Sequence, residues 1–376
     1  MHEEYETDLG LLAERGRLRI LRERAGIDFT SNDYLGLAES EELRRAAADA
    51  VARGVPVGSG GSRLLRGNHP EHEALESEAA AYFGADTALY FGGGYIGNFT
   101  IFSTLPQRGD LVIHDELIHA SVYEGLRRGR ADFVGVPHNN VDAFDAAIVR
   151  WRAAGGKGRP WLSVESLYSM DGDSPDLAEL LAVADRHEAM VVIDEAHATG
   201  VLGPQGRGLA AFFEGRENVI TLHTCGKALG TVGGFILAPR IIRDFLVNRA
   251  RPFIFATAPS PLIAAITRAA LEISRTKSER RDRLARLVQF AGGELRRHCN
   301  IEPSGSQIIP VIIGADRATV ALADLLQRRG FDIRAIRPPT VPEDTARLRI
   351  ALTLNVNEAI VTEVFEALAE DMRKVA

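Results

Sequence analysis

The chain reads as an α/β protein: a mostly parallel central sheet covered by helices, followed by a smaller α+β domain at the C-terminus. Three observations carry this. Short apolar runs recur at 87–91, 111–113, 133–136, 161–164, 191–193, 219–222 and 233–237, the pattern of fully buried strands in a parallel sheet. Helix-period stretches lie between them. From about residue 275 onward the alternation gives way to a different order of strands and helices.

Taken in order, residues 1–40 form an N-terminal arm, a short charged helix and then an irregular segment through Asp28 to Leu37. Residues 41–275 form the large α/β domain. Its helix over 71–83 places Leu75, Ala79, Tyr82 and Phe83 on one stripe and stops at Gly84. Residues 276–376 form the small domain: a strand at 307–313, a helix at 319–329 stopped by Gly330, strands at 331–336 and 346–352, and a helix at 358–373. In that last helix Val361, Phe365, Leu368 and Met372 share a stripe. In the strand 346–352, alternation puts Leu348, Ile350 and Leu352 on one face and leaves Arg347 and Arg349 on the other, free to meet an anion.

Composition narrows the function. With 376 residues, 45% hydrophobic and 25% charged, the chain has the makeup of a folded protein with a large core. A net charge of −7 argues against a nucleic-acid or anionic-membrane binder. No apolar run approaches the roughly 18 residues that span a bilayer, and the acidic start lacks the features of a secretory signal. Two cysteines, Cys225 and Cys299, cannot build a disulfide framework, which points to a reducing, cytoplasmic setting. The 44 basic residues divide into 40 arginines and four lysines: Lys157, Lys227, Lys277 and Lys374. A mechanism that needs a lysine therefore has four places to look.

Two constellations stand out. The segment Gly92-Gly-Gly94-Tyr-Ile-Gly97 follows a strand-like run and opens a helix-like one, and Asp115 ends the next strand. Backbone N–H groups at a helix N-terminus hold phosphate, of a dinucleotide or of another cofactor. The second is Val191-Val-Ile-Asp194-Glu-Ala-His197, followed 33 residues after Asp194 by Lys227 in Thr224-Cys-Gly-Lys-Ala-Leu-Gly230. An acid at the end of a buried strand is costly to desolvate unless a cation faces it. Lys227 sits among small, uncharged residues, whereas the other three lysines have polar surroundings. A desolvated lysine that forms a Schiff base and an acid that pairs with a protonated pyridine nitrogen are what pyridoxal 5'-phosphate (PLP) requires.

The sequence resembles the α-oxoamine synthases, PLP enzymes with the transferase fold of the aspartate-aminotransferase type (fold type I). The resemblance covers essentially the whole chain. It runs through Ser31-Asn-Asp-Tyr-Leu-Gly-Leu37, Gly58-Ser-Gly-Gly-Ser-Arg63, His119-Ala-Ser121, Ser169-Met-Asp-Gly-Asp173, Asp194-Glu-Ala-His197, Gly203-Pro-Gln-Gly-Arg-Gly208 and Thr224-Cys-Gly-Lys227. It implies that Lys227 carries PLP covalently and moves the substrate Cα proton, that Asp194 holds the pyridine nitrogen, and that His119 stacks on the ring. His197 and Ser169 are implied at the ring oxygen, Gly94 and Tyr95 as backbone donors beside the cofactor, and Thr224 at its phosphate. Thr257 is implied at the phosphate of the other subunit, hence a homodimer. Arg349 is implied as the clamp on the amino-acid carboxylate and Asn32 as a further substrate contact; no metal is implied.

Within the family, Ala335-Ile-Arg-Pro-Pro-Thr-Val-Pro342 and Thr345-Ala-Arg-Leu-Arg349 resemble most the members that condense L-alanine with a pimeloyl thioester, carried by CoA or an acyl carrier protein. Another member, such as a glycine C-acetyltransferase, and an NAD-dependent oxidoreductase built on residues 92–97 are the rival readings. Residues 58–61 read as a flexible loop near the acyl entrance, Arg17, Arg19 and Arg22 as a solvated charged stretch, and His69 and His72 as structural.

Overall fold

The computed structural model describes residues 2–375. They form two compact units, one of Leu35–Ser169 and Ser174–Arg281, the other of residues 2–34, Met170–Asp173 and residues 282–375. In chain order the strands are β1 (Ile27–Asp28), β2 (Thr87–Phe91), β3 (Leu111–Asp115), β4 (Asp132–Val136), β5 (Pro160–Glu165), β6 (Met190–Asp194), β7 (Val219–Thr224), β8 (Gly234–Ala238), β9 (Ile308–Gly314), β10 (Phe331–Asp332), β11 (Ala335–Ile336) and β12 (Ala346–Ala351).

The larger unit is built on a seven-stranded sheet in the order β2-β8-β7-β6-β5-β3-β4. The neighbours from β7 through β4 are parallel, and β8 runs antiparallel to both β2 and β7. Successive side chains of a strand point to opposite faces. Val112 and Val192 accordingly pack into one apolar cluster with Ile101 and Phe102, while Ile113, Val191 and Ile193 join another with Phe144 and Leu180. That double burial is why these strands read as unbroken apolar runs.

The run at 133–136 is the exception. It forms β4, an edge strand of which only Val136 is buried, with Phe133 42% and Val134 39% exposed. An apolar run marks a strand but does not say how far from the sheet's edge it lies. The helix Pro70–Phe83 begins at His69, whose ring accepts from the Glu71 N–H, and ends at Gly84 with φ 87°. His72 meets the carbonyl of Pro259 at 2.8 Å, so both histidines are structural as expected.

Residues 58–61 are tied down. Ser59 Oγ donates to the Pro259 carbonyl at 2.6 Å and Ala258 N–H to the Gly61 carbonyl at 2.9 Å. A Cβ on Gly67 would lie 2.0 Å from the Gly61 oxygen, so glycine there serves a close backbone approach instead of mobility. Arg63 makes a buried two-pronged pair with Glu76 at 2.8 and 2.9 Å just beyond this loop.

In the smaller unit β11, β12 and β9 form an antiparallel sheet, and β1 pairs in parallel with β10. The strand expected over 331–336 is therefore two short strands, each in a different sheet. Within the helix Glu358–Val375 the expected stripe of Val361, Phe365 and Leu368 is buried. Arg17 pairs with Asp316 at 2.6 Å and with Glu343, so it is an internal clasp and not a solvated charge. Among the described residues no helix is long and apolar enough to cross a membrane.

Candidate active site

Open parallel sheets present ligands beyond the carboxyl ends of their strands. Here β5, β6 and β7 end side by side on Glu165, Asp194 and Thr224, and the larger unit gathers most of the expected residues around them.

Asp194 is 6% exposed, and its carboxyl group accepts from two donors: the Asn98 amide to Oδ2 at 2.6 Å and the Ala196 N–H to Oδ1 at 2.8 Å. Asn98 is itself buried on the helix Gly94–Thr104 and also donates to Ser121 Oγ at 3.0 Å. Lys227 follows β7 in a half-buried turn, and its Nζ lies 2.7 Å from Nε2 of the buried His197. Of the remaining lysines, Lys277 is paired with Glu42 and Lys374 with Asp371, and Lys157 lies exposed.

His119 caps the helix Ala120–Arg128. Its Nδ1 accepts from the Ser121 N–H at 3.3 Å and meets Ser121 Oγ at 2.7 Å, which puts the proton of the neutral ring on Nε2. The residue is exposed, yet the protein crowded about its ring holds its pKa below the ordinary histidine value; Asp194 partly offsets this and Lys227 adds to it. Tyr95 stands edge-on to that ring, centroids 6.3 Å apart.

Ser169 is buried, and its N–H donates to Glu165 Oε2 at 3.0 Å. Gly94 opens its helix against Thr224: an added Cβ would come within 3.5 Å of the Thr224 side chain. Thr224 Oγ1 donates to the Gly233 carbonyl at 3.2 Å. A Cβ on Gly92 or Gly93 would meet no heavy atom within 4 Å, so the approach to the helix N-terminus is open. Thr257 is exposed in the segment that follows the short helix Arg251–Ile254 and stands apart from these contacts. Cys225, next to this turn, is buried and its thiol is pushed well above the usual range by that burial, which makes it inert.

Arg349 and Asn32 lie in the smaller unit and touch. Arg349 Nη2 donates to Asn32 Oδ1 at 2.9 Å and to Tyr34 Oη at 3.2 Å, while Tyr34 O–H donates to the same Asn32 oxygen at 3.0 Å. Arg347, on the same strand face, is committed to Asp171 and to the carbonyl of Thr345. The expectation that both arginines stand free to meet an anion thus fails for Arg347.

Two residues of this cluster escape a sequence reading. Asn98 carries no local signal, because its partner Asp194 is 96 residues away. Glu165 did carry one: like Asp194, it is an acid that terminates a buried apolar run.

The residues fit PLP. An amine beside an imidazole, a carboxyl group with a donor on each oxygen, and an open helix N-terminus flanked by a threonine hydroxyl would supply the covalent link, the ring-nitrogen partner and the phosphate cradle.

Comparison with known proteins agrees. A family profile described as aminotransferase class I and II matches residues 24–368. An 8-amino-7-oxononanoate synthase of Anaeromyxobacter dehalogenans is 42% identical over 348 residues, covering 92% of this chain and 86% of the relative. One from Geobacter sulfurreducens is 37% identical, covering 96% of each chain. A serine palmitoyltransferase from S. paucimobilis with bound PLP superposes with a TM-score of 0.90 at 27% identity, over 100% of this chain and 99% of the other. A crystal structure of 8-amino-7-oxononanoate synthase from Francisella tularensis gives 0.79 at 25% identity, over 93% and 98%. The chain belongs to the class I and II aminotransferase family, enzymes of fold type I that use pyridoxal 5'-phosphate, and within it to the α-oxoamine synthases.

Proposed function

We propose that this enzyme condenses L-alanine with a pimeloyl thioester, on CoA or an acyl carrier protein, releasing carbon dioxide and the thiol and forming 8-amino-7-oxononanoate for biotin synthesis in the cytoplasm. The observation that carries the chemistry is Lys227, the lysine set 2.7 Å from His197 at the carboxyl edge of the sheet. The relatives named above carry the choice of substrate.

Bound through Lys227, PLP supplies an electron-poor ring that acidifies the Cα–H of an attached amino acid. The Lys227 amine would take the Cα proton of the bound alanine and later return one. His197 Nε2, 2.7 Å from the Lys227 Nζ, orients the amine for that transfer. Asp194, whose two oxygens accept from Asn98 and Ala196, would hold a proton on the ring nitrogen. His119 would cover the ring, Ser169 and His197 would hold the ring oxygen, and Gly94, Tyr95 and Thr224 would hold the phosphate.

Arg349 takes the carboxylate of alanine, for which its planar fork suits it, with Asn32 fixing the guanidinium. The alanine carbon attacks the thioester carbonyl: a C–C bond forms, the C–S bond breaks, and the resulting β-keto acid loses carbon dioxide. Thr257, exposed on this chain, would serve the phosphate of a second subunit, with a homodimer as the working form.

The test is product formation by the purified holoenzyme with alanine or glycine, each against pimeloyl-CoA, a pimeloyl carrier protein and acetyl-CoA. Turnover of alanine with a pimeloyl donor is expected. Preferential turnover of glycine with acetyl-CoA refutes the assignment, and sedimentation as a monomer refutes the shared site.

A further inference from the structure

We infer that Glu165 works as a neutral carboxylic acid, a positioning residue that anchors the Ser169 turn through one oxygen and leaves Asp194 the sole anion of the carboxyl pair at the ends of β5 and β6. The inference deepens the PLP reading and rests on the roles given there to Asp194 and Lys227.

The two acids are register partners on adjacent parallel strands, and both are buried, Glu165 at 2% exposure and Asp194 at 6%. Their hydrogen-bond supply is unequal. Asp194 receives an amide N–H and a backbone N–H, one on each oxygen. Glu165 receives only the Ser169 N–H, on Oε2, and its buried Oε1 has no partner. A bare oxygen of a buried carboxylate is costly. Where two carboxyl groups crowd together, the one with fewer donors keeps the proton.

The charged groups facing Glu165 are Asp194, Asp115 and Lys227. Burial and then Asp194 push the Glu165 carboxyl up to about 8, with Asp115 adding and Lys227 opposing. The proton has a use. A second anion near Lys227 would hold that amine in its ammonium form, which cannot take a proton from carbon. A neutral Glu165 anchors the turn that carries Ser169 without that penalty.

The experiment follows the acid itself. In infrared spectra of the holoenzyme at neutral pH, the carbonyl band of a protonated carboxylic acid should be present, disappear as pH rises through about 8, and be missing in Glu165→Gln. The wild-type titration stands even if that variant does not fold. Thermal unfolding gives a second readout. A carboxyl whose folded pKa is raised keeps a proton that the unfolded chain releases, so stability falls between the ordinary carboxylate range and about 8 and levels off above it. Glu165→Gln, an isostere of the neutral acid, removes this component, so its Tm should decline less with pH across that window than the wild type's. The same variant should bind PLP within about threefold of wild type, while Glu165→Ala, which drops the Ser169 anchor, should bind roughly tenfold or more weakly.

Absence of the band at neutral pH, or parallel Tm profiles in wild type and Glu165→Gln, overturns the inference. So does loss of PLP in Glu165→Gln equal to that in Glu165→Ala. Failure of the PLP reading would show elsewhere, as PLP binding that is indifferent to Asp194→Asn, and would leave the Glu165 band in place.

Discussion

Replacing Asn98 with alanine tests whether the cluster at the sheet's edge depends on the orientation of Asp194. Asn98 is 1% exposed, and its amide donates to Asp194 Oδ2 at 2.6 Å and to Ser121 Oγ at 3.0 Å. The first is a hydrogen bond to a charged group, worth about 1.5–3 kcal/mol. The Ala196 N–H stays in place in the variant, so Asp194 keeps one donor but loses its aim. If that energy is used in the transition state, kcat/KM should drop roughly 10- to 150-fold at saturating PLP. Folding should also suffer, since truncation strips a buried carboxylate oxygen of its donor, by about 1–3 kcal/mol. Steady-state kinetics with alanine and the acyl thioester, alongside Tm and PLP titration, separate the two effects. A fully folded variant with kcat/KM within about twofold of wild type would refute the reasoning, because Asp194 would then be oriented without Asn98.

Four further outcomes follow from the same geometry. Lys227→Ala should abolish turnover and covalent PLP; borohydride trapping and peptide mapping that place the label on Lys157, Lys277 or Lys374 would contradict this. Asp194→Asn should cost orders of magnitude in rate, because an amide cannot hold the ring-nitrogen proton as a carboxylate does, and near-normal rates in single-turnover experiments would remove Asp194 from that role. Arg349→Lys should raise the alanine KM by about tenfold or more while the thioester KM changes less; Arg347→Lys, which disturbs the buried pair with Asp171, should lower Tm and leave the alanine KM alone. Arg63→Met should destabilise the protein by about 3–5 kcal/mol in a denaturant titration, because it strands the buried Glu76 carboxylate, and a loss below about 1 kcal/mol would show the pair to be dispensable.

Much of the fold and the centre of the candidate site are legible in the sequence for one physical reason: some interactions are local. A strand covered on both faces must be apolar throughout, so six of the seven strands of the large sheet appear as buried apolar runs, and a helix such as 70–83 shows its stripe and its terminal glycine. Asp194 and Lys227 are visible for a related reason. An acid that ends an apolar strand and a lysine among small residues are both costly to bury, and only chemistry compensates that cost. The tertiary structure decided everything that depends on strand order. It put the apolar run 133–136 at an exposed edge, split 331–336 between two sheets, and pinned the glycine loop at 58–61. It also gave different partners to two arginines that alternation could not separate, Asp171 to Arg347 and Asn32 to Arg349, each across more than 170 residues of chain. Asn98 reaches Asp194, and Glu165 becomes its carboxyl neighbour, because β5 and β6 are adjacent and a helix N-terminus faces their ends. Side-chain periodicity reports which face of an element is buried; which residue from a distant element waits on that face is settled when the sheet assembles.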